Sequence, residues 1–253
     1  MRTRLLYTLA MIFLLILSSG QAMADKIRVA VASNFTGTIR KIAESFEKST
    51  GHKVILIFGS TGKHYAQIKH GAPFDAFFAA DARRPKLLEK EGVALPGSRF
   101  TYAIGKVILW SPQKNYVDIE GKTLEQKEFR YLSLANPKLA PYGKAAQEIL
   151  QGRGLWKGLR GRMVRGENIG QTFQFVKSGN AELGFIAYSQ VKHPGESVEG
   201  SYWKIPQSLY SPIEQQAVLL RDNDTARSFL SFVKSDESLK IIRGFGYGYY
   251  GIE

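Results

Sequence analysis

The chain has 253 residues, of which 44% are hydrophobic and 23% are charged, and it contains no cysteine. This composition is typical of a globular protein with one large domain or two smaller lobes, and it excludes a disordered, collagen-like or coiled-coil chain. The lack of cysteine excludes disulfides, thiolate nucleophiles, iron–sulfur clusters and zinc sites that use sulfur. The formal net charge is +13, but the basic residues are dispersed and no nucleic-acid-binding module surrounds them, so no nucleic-acid partner is expected. The basic surface is interpreted as solvated, with steering of small anions or attraction to an anionic membrane as a secondary effect.

Residues 1–24 have the pattern of a cleavable secretory signal peptide. Arg2 and Arg4 precede an apolar run at residues 5–17, and small residues lead from there to Ala24. A membrane anchor is the alternative, but the run is shorter than the ~20 residues that a spanning helix needs. Cleavage after Ala24 predicts an exported protein.

Strands and helices alternate in the first part of the chain. Hydrophobic spacing predicts, in order, a strand at 27–31, a helix at 36–49, a strand at 54–58, a short helix carrying Tyr65 and Ile68, a strand at 76–80 and a helix capped by Asp81. Repeated strand–helix units imply a mainly parallel sheet with helices on both faces. Such sheets bind ligands beyond the carboxyl ends of their strands.

A long strand-like stretch at residues 100–110 separates this series from a second one. The second series predicts a strand at 131–134, a helix at about 144–150, a strand near 163–165, a helix ending at Lys177, strands at 183–187 and 216–220, and helices near 225–233 and 236–242. We expect a second lobe, followed by a return of the chain to the first lobe.

The sequence lacks the common signatures of enzymes. No G-x-S-x-G motif presents a serine nucleophile, residues 59–64 depart from a phosphate-binding loop, and the glycine pattern at 246–251 has no helix after it. The histidines do not have the paired spacing of a metal site and are expected to be isolated surface residues: His52, His64, His70 and His193. No metal ligand set and no cofactor are therefore expected.

Hydroxyl and amide side chains recur where predicted strands end and helices begin: Ser33, Asn34, Ser60 and Thr61. Helix N-termini present free backbone N–H groups and the positive end of the helix dipole, so these positions can bind an anion without any lysine or arginine. A pocket of donors only would favour a fully ionised oxyanion over phosphate, because the remaining proton of phosphate would be unpaired at a cost of ~1–3 kcal/mol. Helix capping is the alternative role for each residue, and the two roles are compatible.

The sequence resembles the periplasmic molybdate-binding proteins of ABC-type uptake systems, in the branch with asparagine in the first turn. The similarity spans essentially the whole mature chain. The segments that carry it are 29–35 (VAVASNF), 59–62 (GSTG), 65–68 (YAQI), 71–81 (GAPFDAFFAAD), 95–106 (LPGSRFTYAIGK), 135–137 (ANP), 140–143 (APYG), 167–171 (ENIGQ) and 183–187 (LGFIA).

The resemblance implies an α/β, two-lobed periplasmic binding protein fold of type II, with mixed, mainly parallel sheets, a hinge and a ligand cleft between the lobes. The lobes are expected at residues 25–105 with 214–253 and at residues 106–213. The ligand would be molybdate or tungstate, held as the tetrahedral dianion. The expected partner is an inner-membrane ABC permease, and the protein is expected to be a periplasmic monomer without catalytic activity.

The resemblance also implies a ligand site. Carried over position by position, it consists of Ser33, Asn34, Ser60, Thr61, Tyr142 and Ile169, the last through its backbone N–H. In another branch of the family a ligand tyrosine occupies the position of Ala187. Tyr188 is its neighbour here, and it is left out of the site because adjacent strand residues point to opposite faces.

Two conspicuous aspartates are not expected to bind the ligand. Asp75 and Asp81 are interpreted as structural, because a carboxylate facing a dianion would oppose binding.

Binding of another oxyanion such as sulfate, or of a small carboxylate, stays open as an alternative. An exported enzyme that hydrolyses a phosphate ester and a ligand-sensing protein that signals through a partner are the others.

Overall fold

The computed structural model describes residues 25–249, so the predicted signal peptide lies outside the described residues. Within this range the chain forms two five-stranded sheets flanked by helices. None of the helices in residues 25–249 has the length and apolar character needed to cross a membrane.

The strands agree closely with the predicted pattern of alternating strands and helices. They are β1 (Lys26–Ala32), β2 (Lys53–Gly59), β3 (Ala76–Ala79), β4 (Phe100–Gly105), β5 (Val107–Ser111), β6 (Leu132–Ala135), β7 (Met163–Gly166), β8 (Leu183–Ala187), β9 (Ser201–Lys204) and β10 (Ile213–Leu219). The short strand β9 was not expected from the sequence.

The α-helices in the described residues are α1 (Thr36–Thr50), α2 (Thr61–Lys69), α3 (Arg83–Lys90), α4 (Thr123–Gln126), α5 (Pro141–Gly152), α6 (Ile169–Lys177), α7 (Asp224–Val233) and α8 (Asp236–Gly244). A short 3-10 segment, Ser33–Phe35, joins β1 to α1. The end of α1 illustrates the local signals, because Gly51 takes a left-handed φ of 76° and its N–H donates to the Glu47 carbonyl.

The first sheet has the strand order β2-β1-β3-β10-β4, and the second has the order β7-β6-β8-β5-β9. Strands β1, β2 and β3 are parallel, as are β6, β7 and β8, whereas β10 is antiparallel to β3 and β4, and β5 is antiparallel to β8 and β9. The mixed, mainly parallel two-sheet fold expected from the sequence is confirmed.

Two predicted boundaries were wrong. The stretch at residues 100–110 is two strands rather than one, because the chain leaves the first sheet after Gly105 and enters the second at Val107. Helix α5 begins at Pro141 rather than near residue 144, so Tyr142 lies in the first turn of a helix. Proline is favoured at the first helical position because it has no N–H to leave unpaired there.

Each sheet is covered by helices on both faces. In β1, Val29 and Val31 pack towards α1, α7 and α8, whereas the intervening Ala30 packs on the other face with residues of α2 and α3. Helix α5 covers one face of the second sheet, and α6 covers the other. This arrangement buries both faces of the parallel strands, which leaves the strand ends as the place for a ligand.

Candidate functional site

The carboxyl ends of β1, β2, β3, β6 and β7 converge on one small cavity between the two sheets. The cavity has a volume of about 10 Å³, which is roughly the space that a single water-sized sphere needs. It is lined by Ala32, Ser33, Asn34, Gly59, Ser60, Thr61, Ala80, Ala140, Pro141, Tyr142, Asn168 and Ile169. The structure thus brings together all six predicted site residues around a space that is too small for an organic metabolite.

Four helical N-termini point at this cavity. The 3-10 segment that leads into α1 begins at Ser33, α2 at Thr61, α5 at Pro141 and α6 at Ile169. The first N–H groups of a helix have no partner within it, and the helix dipole places partial positive charge there. Since no charged side chain is among the residues that line the cavity in the described part of the chain, these N–H groups and the hydroxyls set its polarity.

Each serine or threonine hydroxyl of the cavity accepts a hydrogen bond from a backbone N–H. The Ser33 oxygen accepts from the Gly170 N–H at 3.0 Å, and the Thr61 oxygen accepts from the Ala80 N–H at 3.0 Å. The Ser60 oxygen accepts from the Lys63 N–H at 3.3 Å as the N-cap of α2. Each oxygen therefore already has a protein donor, which leaves the hydroxyl hydrogen available for the cavity.

Tyr142 completes this set from the other sheet. Its phenol is buried, and its oxygen accepts from the Gln215 side-chain amide at 3.3 Å. Burial raises the pKa of the Tyr142 hydroxyl well above its ordinary value, with a further contribution from the neighbouring Tyr247. The phenol therefore keeps its proton and can donate it.

Asn34 has a different role from the one that the sequence indicated for its side chain. Its Nδ2 donates to Gln215 Oε1 at 2.7 Å and to the Tyr247 hydroxyl at 3.1 Å, so these side-chain donors are occupied by protein acceptors. Its backbone N–H lies at the start of the 3-10 segment, where helical N–H groups are free. Any donation from Asn34 to an anion in the cavity is therefore assigned to the main chain.

Ile169 lines the cavity at the first position of α6, and its aliphatic side chain is buried. Asn168 caps the same helix by accepting from the Gln171 N–H at 3.0 Å. The Gly170 and Gln171 N–H groups of this turn already have protein acceptors, which leaves the Ile169 N–H for the cavity whatever the side chain at position 169.

Contacts between the two sheets surround the cavity. The Gly62 N–H donates to the Leu139 carbonyl at 2.8 Å, and the Ser189 hydroxyl donates to the Asn34 carbonyl at 3.1 Å. The exposed side chains of Lys63 and Glu167 form an ion pair at 3.1 Å. These contacts, together with the Gly170–Ser33 bond, hold the two halves of the cavity wall together.

The two aspartates and Tyr188 lie away from the cavity wall. The Asp75 carboxylate accepts from the Arg28 N–H at 2.7 Å, and Asp81 caps α3 through the Arg84 N–H at 2.9 Å and pairs with the Arg84 side chain. Tyr188 packs against Tyr202 on the second sheet.

The expectation that the histidines lie isolated at the surface was wrong for His64, which is buried in α2. Its ring nitrogens lie 3.2 Å from the Val31 carbonyl and 3.1 Å from Gln67 Oε1. Each nitrogen of this buried ring therefore has a polar partner. Burial lowers its pKa, which favours the neutral ring at pH 7. In residues 25–249 no group of three or more histidine, aspartate or glutamate side chains is arranged to hold a metal ion.

The polar residues behind the cavity wall were not predicted from the sequence. Three of them are buried: Gln215, Tyr102 and Tyr247. The Gln215 side chain bonds to Asn34, Tyr102 and Tyr142, and the Tyr247 hydroxyl bonds to Asn34. Gln215 lies one residue before the predicted strand at 216–220, and no motif distinguishes it from the adjacent Gln216.

The chain matches known proteins over nearly all of the described residues. Residues 27–248 match the family model described as bacterial extracellular solute-binding protein. The molybdate-binding protein ModA of Azotobacter vinelandii is 49% identical over 230 residues, which are 90% of this chain and 91% of that protein. The molybdate-binding protein ModA of Rhodobacter capsulatus is 45% identical over 229 residues, which are 89% of each.

The fold agrees with these similarities. The solved structure of an Azotobacter vinelandii periplasmic molybdate-binding protein superposes with a TM-score of 0.86 at 41% identity, covering 88% of this chain and 99% of that one. A family model over most of the chain and two relatives above 40% identity make the membership plain. The chain belongs to the bacterial extracellular solute-binding proteins, in the family that includes the molybdate-binding protein ModA.

Proposed function

We propose that this protein captures molybdate or tungstate as a tetrahedral dianion in the cavity between its two sheets and delivers it to an ABC permease. The ligands would be the hydroxyls of Ser33, Ser60, Thr61 and Tyr142 with the backbone N–H groups of Asn34 and Ile169. The names of the relatives support the substrate class, since two of them that are at least 45% identical are molybdate-binding proteins.

The single observation that carries this proposal is that the oxygens of the four hydroxyls already accept hydrogen bonds from the protein. Each oxygen accepts one protein N–H, so each hydroxyl hydrogen is free to be donated to a ligand. A fully ionised oxyanion accepts every such bond, whereas the proton of hydrogen phosphate would find no carboxylate in the lining to accept it. That mismatch is expected to cost ~1–3 kcal/mol, which is roughly one to two decades of affinity.

The proposed cellular role follows from the leader and the two-sheet form. Residues 1–24 would direct export and be removed, which leaves a periplasmic monomer. The lobes are proposed at residues 25–105 with 214–253 and at residues 106–213. Because Ser33 and Thr61 follow strands of one sheet and Tyr142 and Ile169 follow strands of the other, a bound anion would stabilise the closed form through contacts absent when the lobes separate.

No catalysis is proposed. The neutral lining of the cavity offers hydrogen-bond donors but no carboxylate or imidazole that could act as a general acid or base. Sulfate has the same charge and the same tetrahedral shape as molybdate, so the preference for molybdate is proposed from the relatives and not from the donors. Hydrolysis of a phosphate ester would need a reactive group, and the residues that line the cavity supply none.

Thermal unfolding of residues 25–253 in the presence of molybdate, tungstate, sulfate, phosphate and vanadate tests the proposal. A ligand at one hundred times its dissociation constant adds ~2.7 kcal/mol, which raises the melting temperature of a chain of this size by roughly 5–11 °C. We expect this shift with molybdate and tungstate. An equal shift with sulfate would contradict the choice of substrate, and no shift with any of the anions would contradict the proposed function.

A further inference from the structure

Gln215 lies behind the cavity wall and connects two of the proposed ligand residues. It sits on β10, its side chain is fully buried, and it is not among the residues that line the cavity. Its Oε1 lies 2.7 Å from Asn34 Nδ2 and 3.1 Å from the Tyr102 hydroxyl, and its Nε2 lies 3.3 Å from the Tyr142 hydroxyl. The Gln215 amide therefore contacts both Asn34, in the turn after the first sheet's β1, and the Tyr142 phenol, on the helix that packs on the second sheet.

The direction of these bonds can be worked out from Tyr247. Its hydroxyl donates to the Asn34 carbonyl at 2.8 Å, so its oxygen is left to accept, and Asn34 Nδ2 lies 3.1 Å from it. A donor in that place must be the NH2 group of the asparagine amide, since the amide oxygen has no hydrogen. The orientation of the Asn34 side chain is thereby fixed.

The same reasoning fixes Gln215. Asn34 presents its NH2 group, so Gln215 must present its oxygen to Asn34. The Tyr102 hydroxyl lies 3.1 Å from that same oxygen and 3.1 Å from the Ala79 carbonyl, and its one hydrogen is shared between these two acceptors. The Gln215 NH2 group then faces Tyr142. Because an amide NH2 only donates, the Tyr142 oxygen accepts, and the hydroxyl hydrogen turns away from Gln215.

We propose that Gln215 is a positioning residue that holds the Tyr142 hydroxyl as a hydrogen-bond donor towards the anion cavity. This inference rests on the proposed function and names a determinant of affinity at that same site. Gln215 does not line the cavity. The proposed effect on affinity runs through Tyr142, whereas the bond to Asn34 fixes the direction of the Gln215 amide.

The packing around the pair supports a fixed geometry. A Cβ on Gly105 would lie 2.7 Å from Gln215 Nε2 and in closer conflict with the Tyr142 hydroxyl. Glycine at this position, where the chain leaves the first sheet, therefore allows the amide and the phenol to meet over the backbone.

A double-mutant cycle tests the inference. Dissociation constants for molybdate would be measured by titration calorimetry on residues 25–253 for the wild type, Gln215→Met, Tyr142→Phe and the double variant. Methionine keeps the volume of glutamine but donates no hydrogen bond. We expect Gln215→Met to weaken binding by about tenfold in the wild type and by less than about twofold in the Tyr142→Phe background.

Gln216→Met is the matched control. Gln216 is the next residue of β10, is also buried, and bonds to Arg99 and Thr101 rather than to the cavity wall. Its replacement should lower the melting temperature as much as Gln215→Met does, yet change the dissociation constant by less than about twofold.

Gln215→Glu is the second variant. Because a buried carboxylate is costly, its melting temperature is measured beside its affinity, and binding is compared on the folded protein. A carboxylate keeps the acceptor for Asn34 and Tyr102 but places an oxygen beside Tyr142, so the phenol would donate to it instead of to the anion. We expect binding at least as weak as in Tyr142→Phe.

The outcomes separate the inference from the proposed function. Additive losses in the cycle, or a Gln215→Glu variant that binds like the wild type, would overturn the role of Gln215 alone. A wild-type protein that does not bind molybdate would overturn the proposed function, and this inference with it.

Discussion

The Gly170 N–H donates to the Ser33 hydroxyl at 3.0 Å, and this bond joins the first turn of α6 on the second sheet to the end of β1 on the first. The approach is close, because a Cβ on Gly170 would lie 3.2 Å from the Ser33 Cβ. Ser33 is thus both a proposed ligand donor and a contact between the two halves of the site. Binding and closure are expected to depend on the same hydroxyl.

Replacing Ser33 with alanine should weaken molybdate binding by about 10- to 100-fold, because a hydrogen bond to a charged group contributes ~1.5–3 kcal/mol. Ser189→Ala is the control, since the Ser189 hydroxyl also joins the two halves, through the Asn34 carbonyl, but does not line the cavity. We expect that variant to lose less than about tenfold. Equal losses by calorimetry would mean that Ser33 acts only as a contact between the halves.

Thr61→Ala should weaken molybdate binding and also lower stability. The Ala80 N–H donates to the Thr61 hydroxyl in a buried setting, so alanine leaves that donor unpaired at a cost of ~1–3 kcal/mol. Thr61→Ser keeps the hydroxyl and should retain both affinity and most of the stability. Urea unfolding and calorimetry on the two variants separate these effects, and a Thr61→Ala protein that binds like the wild type would remove Thr61 from the site.

The Lys63–Glu167 ion pair bridges the two halves, but it should contribute little to binding. Both side chains are more than 40% exposed, and exposed pairs contribute ~0.2–1 kcal/mol. Lys63→Met should therefore change the molybdate dissociation constant by less than about fivefold at moderate salt. Lys41→Met, which breaks an exposed pair within α1, controls for the lost charge. A loss of tenfold or more specific to Lys63 would show that this pair holds the site closed.

The affinity for molybdate should be constant between pH 7 and about pH 9.5. Burial raises the pKa of Tyr142 well above its ordinary value of about 10, so the folded protein keeps the phenol proton across this range. Because the unfolded chain releases that proton first, stability is expected to fall above about pH 10, and less steeply in Tyr142→Phe. Calorimetry between pH 7 and pH 9.5 checks the first part, and an affinity that declines with an apparent pKa near 9 would contradict the role of Tyr142 as a donor.

Local patterns predicted most of the fold because parallel strands and amphipathic helices leave clear periodicities. The change of sheet between Gly105 and Val107 was not predicted. Gly105 and Lys106 interrupt the apolar pattern there, but one glycine and one lysine do not show that the next strand joins another sheet. The start of α5 was predicted about three residues too late, although proline at the first helical position is a signal for a helix start.

The residues that line the cavity could be predicted from the sequence, whereas the residues behind them could not. Ser33 and Thr61 follow strands, and their position is a local property. Gln215 and Tyr247 lie 181 and 213 residues from Asn34, and only the folded chain brings them to it. The burial of His64 has the same origin, because its partner Val31 belongs to another strand–helix unit.

Selection of a fully ionised oxyanion is attributed here to a cavity that offers hydrogen-bond donors and no carboxylate acceptor. Titration calorimetry of residues 25–253 with molybdate and with phosphate at pH 7.5 tests this selection. We expect molybdate to bind at least ten- to one-hundredfold more tightly than phosphate. Phosphate binding as tight as molybdate binding, or tighter, would contradict the proposed basis of selection.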